Sequence, residues 1–280
     1  MKQNKYTVEI SSFNLWQILL SGQCFRSAPD GDGAVICAGG HRGRFSHSPE
    51  GLVCEVESRE EFDGFWLPYF DAGRDYGAVK KSLAKADPVM AAATESGYGV
   101  RVLRQPLFET VLTFIISQRS NIPRIKSIVA KLCSEYGEDM GGWHAFPTAA
   151  RLASVSVDEL AHLKAGYRTP YIAAAARLAA EGGLDGIGSM PFDEAKRVLL
   201  SMPGVGEKVA GCVLLFGGGY MEAFPIDVWI ERAVCELYGG KLNPEIFAPH
   251  AGLAQQYLFY HVRELHGVKG PEEYMRQLQK

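Results

Sequence analysis

Between Tyr6 and Val56 the apolar positions come in short runs, YTVEI, GAVICAGG and LVCEVES, separated by Gly, Pro and Asp clusters such as PDGDG. Runs of that length bounded by turn residues predict short antiparallel strands. Helical patterning begins near Ser58. In SREEF, Ser58 is placed to cap a first turn and Glu61 to reach back in a capping box. FDGFWLPYFD follows as an aromatic packing segment.

From Leu103 onward the period changes. Ile122, Ile125, Ile128, Val129, Leu132 and Cys133 fall on one face of a helix from Asn121 to Tyr136. The same spacing predicts helices at Glu109–Ile116, Val157–Leu163, Pro170–Ala180, Phe192–Ser201, Glu207–Phe216, Val228–Leu237 and Gly252–Leu265. Strands first and helices after make an α+β chain: an N-terminal antiparallel sheet domain with flanking helices over 1–103, and a helical region over 104–280. No internal repeat or low-complexity tract interrupts this order.

Composition narrows the classes. With 47% hydrophobic residues in 280, the chain can bury a large core. No stretch approaches the roughly 20 apolar residues that cross a bilayer, and MKQNKYTVEI lacks the apolar core of a secretion signal, so a non-exported, cytoplasmic protein is expected. Cys24, Cys37, Cys54, Cys133, Cys212 and Cys235 are spaced too widely for a metal knuckle, and they read as reduced thiols. A formal net charge of −3 leaves no whole-molecule footprint of a polyanion partner. Any nucleic-acid contact must be local, through backbone amides and helix N-termini.

The segment DEAKRVLLSMPGVGEKVAGCVLLF carries the strongest chemical signal. Pro203 ends a first helix, Gly204 and Gly206 permit a tight turn, and Val205 plugs that turn into the core. Two helices joined this way present backbone N–H groups able to hold a phosphate. Lys208 lies in the first turn of the second helix, and Asp227 follows in AFPIDVWIERAV. A desolvated lysine can attack an anomeric carbon and form a Schiff base, and a carboxylate stabilises the cationic sugar as its base departs. Cys212, one helical turn after Lys208, could modulate the amine. On the residues alone the plain readings stand beside these. Pro-Gly turns join helices in many all-α proteins, Lys208 is equally a solvated helix residue, Asp227 a helix N-cap and Cys212 a small buried hydrophobe.

The run L-x-x-M-P-G-V-G-E-K-V-A-x-C followed by F-P-I-D-V resembles the helix-hairpin-helix (HhH-GPD) glycosylase superfamily, and within it the 8-oxoguanine DNA glycosylase/AP lyase branch. LLSGQCFR, LRQPLFETVLTFIISQRSNIPRI, HLKAGYRTPYI and GLAQQYLF resemble blocks of that family in the same order. The resemblance implies a TATA-binding-protein-like sheet domain, two helical subdomains with the hairpin at about 192–216, and a lesion flipped out of the duplex. It implies Lys208 as nucleophile and Asp227 as assisting carboxylate. It further implies Gly22 as carbonyl acceptor for the ring N–H found only in oxidised guanine, Gln255 as reader of the Watson–Crick edge, and Cys212 and Phe259 on the faces of the base. Gly204, Val205 and Gly206 become the phosphate-binding hairpin. Arg124 and Arg168 would grip the orphaned cytosine while Tyr167 wedges the duplex. Outside the resemblance, Gly22 reads as a turn residue, Gln255 as a surface amide and Phe259 as core.

Two departures stand out. The family's asparagine-rich turn is here Ser117-Gln118-Arg119-Ser120-Asn121, retaining only Asn121, with Arg119 as a candidate substitute. Trp229 occupies the place of a phosphate-contacting histidine. The iron-sulfur spacing C-x6-C-x2-C-x5-C of thymine-glycol and adenine-mismatch relatives is absent from the sequence, and alkylation-specific relatives lack the lysine. The resulting expectation is a bifunctional glycosylase/lyase acting as a monomer on double-stranded DNA containing 8-oxoguanine, preferably opposite cytosine, with no cofactor, metal or membrane. The alternatives are a glycosylase for another oxidised purine and a non-catalytic DNA-binding module.

Overall fold

The computed structural model describes residues 4–268. In chain order its main elements are strand β1 (Asn4–Val8), helix α1 (Leu15–Leu20), and strands β2 (Ser27–Asp30), β3 (Gly33–Ala38), β4 (His41–Ser48) and β5 (Gly51–Val56). Helices follow: α2 (Tyr76–Ala86), α3 (Pro88–Ser96), α4 (Leu107–Ser117), α5 (Ile122–Tyr136), α6 (Thr169–Ala180), α7 (Phe192–Leu200), α8 (Glu207–Phe216), α9 (Val228–Tyr238) and α10 (Ala251–Leu265). The strands form one antiparallel sheet in the order β1-β5-β4-β3-β2, with Tyr6 opposite Cys54 and Phe45 opposite Cys54 on its other side. The expected α+β class therefore holds, with one correction. α1 interrupts the region read as strands, because Asn14 caps it by accepting from the N–H groups of Trp16 and Gln17.

The chain divides into two compact units. They are not successive halves. The first comprises residues up to Ile36, Gly43–Arg104 and the chain from Met221 onward; the second comprises Cys37–Arg42 and Gln105–Tyr220. One crossing falls at 104/105, and the last stretch of helices groups with the sheet.

In the first unit, the aromatic segment after Ser58 supplies the core. Phe45 lies edge-on to Trp66 and Phe70, with ring centroids 4.7 and 5.0 Å apart. Ser58 caps as expected, but Glu61 reaches the N–H of Glu57, one residue upstream of the cap, and also accepts from the Trp66 indole. Arg101 is fully buried; it donates to the carbonyls of Phe70, Ser11 and Asp71 and lies 3.8 Å from the Tyr76 ring centroid. One side chain thus gathers backbone from two distant segments that make few ladder bonds of their own. α10 is buried continuously from Ala251 to Phe259 and packs on α3 and α9.

In the second unit, α4 is buried from Glu109 to Ile116, so it has almost no polar face. It packs on α5, α6 and α8, with Phe114 stacked on Phe216. Residues 37–42, the tip of the β3–β4 hairpin, join this unit: the N–H of Gly39 donates to the Glu109 carboxylate and its carbonyl accepts from Phe146. α5 has its predicted buried stripe, with Asn121 outside the helix as its N-cap.

Candidate active site

α7 and α8 form the predicted helix-hairpin-helix. Gly204 adopts φ +80°, and a Cβ there would lie 2.3 Å from Cγ of Tyr171, so conformation and space both require glycine. Its carbonyl accepts from the Gln118 side chain, while Val205, buried, donates its N–H to the Met202 carbonyl. Gly206 at the N-cap of α8 offers no side chain to the first-turn amides. Lys208 sits in that turn, half-buried, its Nζ 3.5 Å from the Ser117 hydroxyl and 5.1 Å from the centroid of Phe114. Among the described residues no carboxylate pairs with it; the adjacent Glu207 is held by Lys196 at 2.9 Å. Cys212 is buried one turn along the same helix.

The other expected DNA contacts in this unit surround the hairpin. Gln118, Arg119, Tyr167, Tyr171 and residues 204–206 line one open concavity. Tyr167 is 51% exposed, an unusual state for a tyrosine side chain that has rigid neighbours to pack on. Arg119 is exposed and left-handed at φ +46°, the conformation in which an asparagine would be at ease. Asn121 spends its carbonyl oxygen on the N–H of Arg124, whose own side chain is exposed and reaches only the Lys164 carbonyl at 3.4 Å. Arg168 differs from its expected placement. It is 4% exposed, donates to the carbonyls of Gln118, Arg119 and Ala165, and stacks under the Tyr167 ring. It braces the Arg119 turn and supports the Tyr167 ring.

The remaining candidates lie in the first unit. Gly22 follows α1 at φ +75°, and a Cβ there would stand 3.0 Å from Cζ of Phe259, so the ring rests directly on the glycine. Gln255 is not a surface amide: it is 4% exposed, its Nε2 donates to the Pro225 carbonyl and its Oε1 accepts from Gln256. Asp227 is the N-cap of α9, as its plain reading held. Its Oδ1 accepts from Trp229 and Ile230, and Oδ2 has no hydrogen-bond partner among the described residues. One cap and one free oxygen coexist on the same carboxylate.

Three residues escaped the sequence reading. Gln23, fully buried, donates to Ser21 and to the Arg101 carbonyl and accepts from the N–H of Leu103, fixing the backbone around Gly22. Gln256 links Gln23 to Gln255. Arg263 donates to the Leu20 carbonyl and lies over the rings of Phe259 and Trp229, 5.0 and 5.9 Å from their centroids. Burial lowers the pKa of its guanidinium, and nearby Asp227 opposes that effect. The available signal was the QQYLFYHVR stripe: polar residues at Gln255, Gln256 and Arg263 inside an otherwise apolar helix.

Two family models match the chain in succession: the 8-oxoguanine DNA glycosylase N-terminal domain over residues 5–111, and the HhH-GPD superfamily base excision DNA repair protein over 112–247. The solved structure of MBOgg1 in complex with a low-affinity DNA ligand is similar at TM-score 0.87 and 35% identity, covering 95% of this chain and 100% of that one. This chain belongs to the HhH-GPD superfamily. A Clostridium acetobutylicum 8-oxoguanine glycosylase/lyase, solved with double-stranded DNA containing cytosine opposite 8-oxoguanine, is similar at TM-score 0.85 and 30% identity over 95% of this chain and 100% of that one. The N-glycosylase/DNA lyase OGG1 of Arabidopsis thaliana is 31% identical over 220 residues, 69% of this chain, which spans 60% of that relative's length. Within the HhH-GPD chain the two models meet at 111/112, inside α4, whereas the compact units separate at 104/105. No helix of the described residues is long and apolar enough to cross a membrane.

Proposed function

We propose that this chain excises 8-oxoguanine from double-stranded DNA, preferably opposite cytosine, and then cleaves the strand. The observation that carries the reading is Lys208: it lies in the first turn of the helix that follows the glycine hairpin, is half-buried against Phe114 and Ser117, and is held by no carboxylate among the described residues. Neutral Nζ attacks C1′ of the damaged nucleotide. The C1′–N9 bond breaks, its electron pair leaves with the base, and the base takes up a proton. The new amine loses a proton, and its lone pair forms the C1′=N bond as the C1′–O4′ bond breaks and O4′ takes up a proton, giving a Schiff base; removal of a C2′ proton then forms a C2′–C3′ double bond and breaks C3′–O3′, whose electron pair leaves with the 3′ phosphate. The free Oδ2 of Asp227 is the charge that stabilises the cationic sugar.

Substrate reading falls to the first unit's residues. The Gly22 carbonyl accepts the N7–H of the oxidised purine, Gln255 reads its Watson–Crick edge, and Phe259 stacks on its face. Phe259 rests on Gly22, so the ring gives way when a base enters. Exposed Arg119 and Arg124 are the readiest donors to an unpaired cytosine, and Tyr167 is the wedge. Arg168 reaches the cytosine only by surrendering its carbonyl partners. The chain acts as a monomer in the compartment that holds the DNA.

The relevant test is single-turnover excision from duplexes carrying 8-oxoguanine opposite each of the four bases. Release of 8-oxoguanine fastest opposite cytosine supports the reading; equal rates opposite adenine and cytosine contradict the assigned grip. Tight duplex binding without base release favours the non-catalytic module.

A further inference from the structure

The Gly22 turn, α10 and the segment before Asp227 are joined by a buried run of side-chain amides, each with a defined polarity. Gln23 comes first. Its Oε1 accepts the N–H of Leu103 at 2.7 Å, and its Nε2 lies 2.7 Å from the Arg101 carbonyl and 2.6 Å from the Ser21 hydroxyl. Reversing this amide would set nitrogen against an N–H and oxygen against a carbonyl, so its orientation is fixed by backbone. The same Nε2 stands 3.4 Å from Oε1 of Gln256. Gln256 therefore turns its oxygen toward Gln23 and its nitrogen toward Oε1 of Gln255, 2.8 Å away. Gln255 in turn directs its nitrogen at the Pro225 carbonyl, 3.1 Å away. Gln23, Gln255 and Gln256 are each at most 4% exposed, so water does not compete for these bonds.

We propose that Gln256 is a positioning residue that sets which end of the Gln255 amide meets the damaged base, and so helps select a guanine-type over an adenine-type edge. The inference rests on the reading of Gln255 given above. A guanine edge presents in order the O6 acceptor, the N1–H donor and the N2–H donor; an adenine edge presents an N6 amino donor beside an unprotonated N1 acceptor. With its polarity fixed, Gln255 has one lone pair and one hydrogen left over, in an order that suits only one of these edges. Gln256 contributes through the donor it presents to Gln255 and touches no substrate atom itself. Its place next to Gln255 on a buried helix looks like core packing, yet a core position costs nothing to fill with leucine or methionine, whereas a buried amide is retained only where its hydrogen bonds are made.

Two variants separate polarity from packing. Gln256→Met keeps the volume and removes the donor; Gln256→Glu keeps the shape and, when ionised, presents only acceptors, which draws the nitrogen of Gln255 away from the Pro225 carbonyl. The readout is the ratio of excision rates for 8-oxoguanine and 8-oxoadenine, which share the N7–H and differ at the Watson–Crick edge. Borohydride trapping on a preformed abasic site serves as the control that needs no base reading. The expectation is a ratio lowered several-fold by Gln256→Met and about tenfold or more by Gln256→Glu, roughly the discrimination that one misdirected hydrogen-bonding pair carries, with abasic-site trapping within about twofold of wild type. Circular dichroism verifies the fold of each variant. An unchanged ratio in both folded variants overturns the inference, and so does a parallel fall in excision and abasic-site trapping, which marks a purely structural role. A wild-type chain that excises neither lesion overturns the functional reading itself.

Discussion

Gly22 and Asp227 show how closely local conformation and chemistry are bound together at single residues. Gly22→Ala forces a left-handed alanine, at a cost of about 1–2 kcal/mol, and pushes a methyl to 3.0 Å from Phe259. The expected outcome is a lowered melting temperature together with loss of 8-oxoguanine excision, read by thermal denaturation and a single-turnover assay. Asp227 allows cap and charge to be separated. Asparagine also caps, so Asp227→Asn should leave stability within a few tenths of a kcal/mol while excision falls, whereas Asp227→Ala should in addition lose about 1 kcal/mol of stability. If the asparagine variant excises at the wild-type rate, the carboxylate has no part in the chemistry. The local settings of Lys208 in the first turn of α8, Asp227 at an N-cap and Gly22 in a turn were legible because short-range spacing carries them. Gln23, Gln256 and Arg263 were not, since their meaning lies in partners far along the chain that no spacing rule reveals.

At the scale of elements, glycine and proline punctuation carried the hairpin: Pro203 and Gly204 mark the end of α7, and α8 begins at the residue expected. α1 was missed because a six-residue helix held by the Asn14 cap lies in a region dominated by strand-like runs. Gly204 is the element's vulnerable point. Its φ and the 2.3 Å approach to Tyr171 mean that Gly204→Ala must displace either the turn or the tyrosine. Duplex affinity should fall by at least about tenfold, measured by fluorescence anisotropy with undamaged DNA, with far-ultraviolet circular dichroism nearly unchanged. Wild-type affinity in this variant would remove the hairpin from the DNA interface.

For the whole molecule, the regrouping of the chain from Met221 onward with the sheet was beyond sequence patterning, because periodicity identifies helices without saying what they pack on. Partly desolvated histidines in that unit make its stability pH-dependent. His47 accepts the N–H of Leu15 through Nε2, at the start of α1, and burial lowers its pKa below the ordinary value of 6.5. His250 and His261 are lowered for the same primary reason. Each is neutral in the fold and protonates more readily when unfolded, so the unfolded state binds more protons as pH falls. Stability should therefore be full above about pH 6.5–7 and decline as pH drops below that value. Urea midpoints between pH 7.5 and 5 test this, and a His47→Gln variant, which retains an acceptor, should show a shallower decline.

Whether Lys208 is the nucleophile is read from borohydride trapping on a duplex carrying 8-oxoguanine opposite cytosine, followed by peptide mass spectrometry. A nucleophilic Lys208 gives a covalent protein–DNA adduct whose modified peptide carries the mass at Lys208, and a folded Lys208→Gln variant gives none. An adduct of undiminished yield in that variant, or a modification mapped to another lysine, would contradict that role.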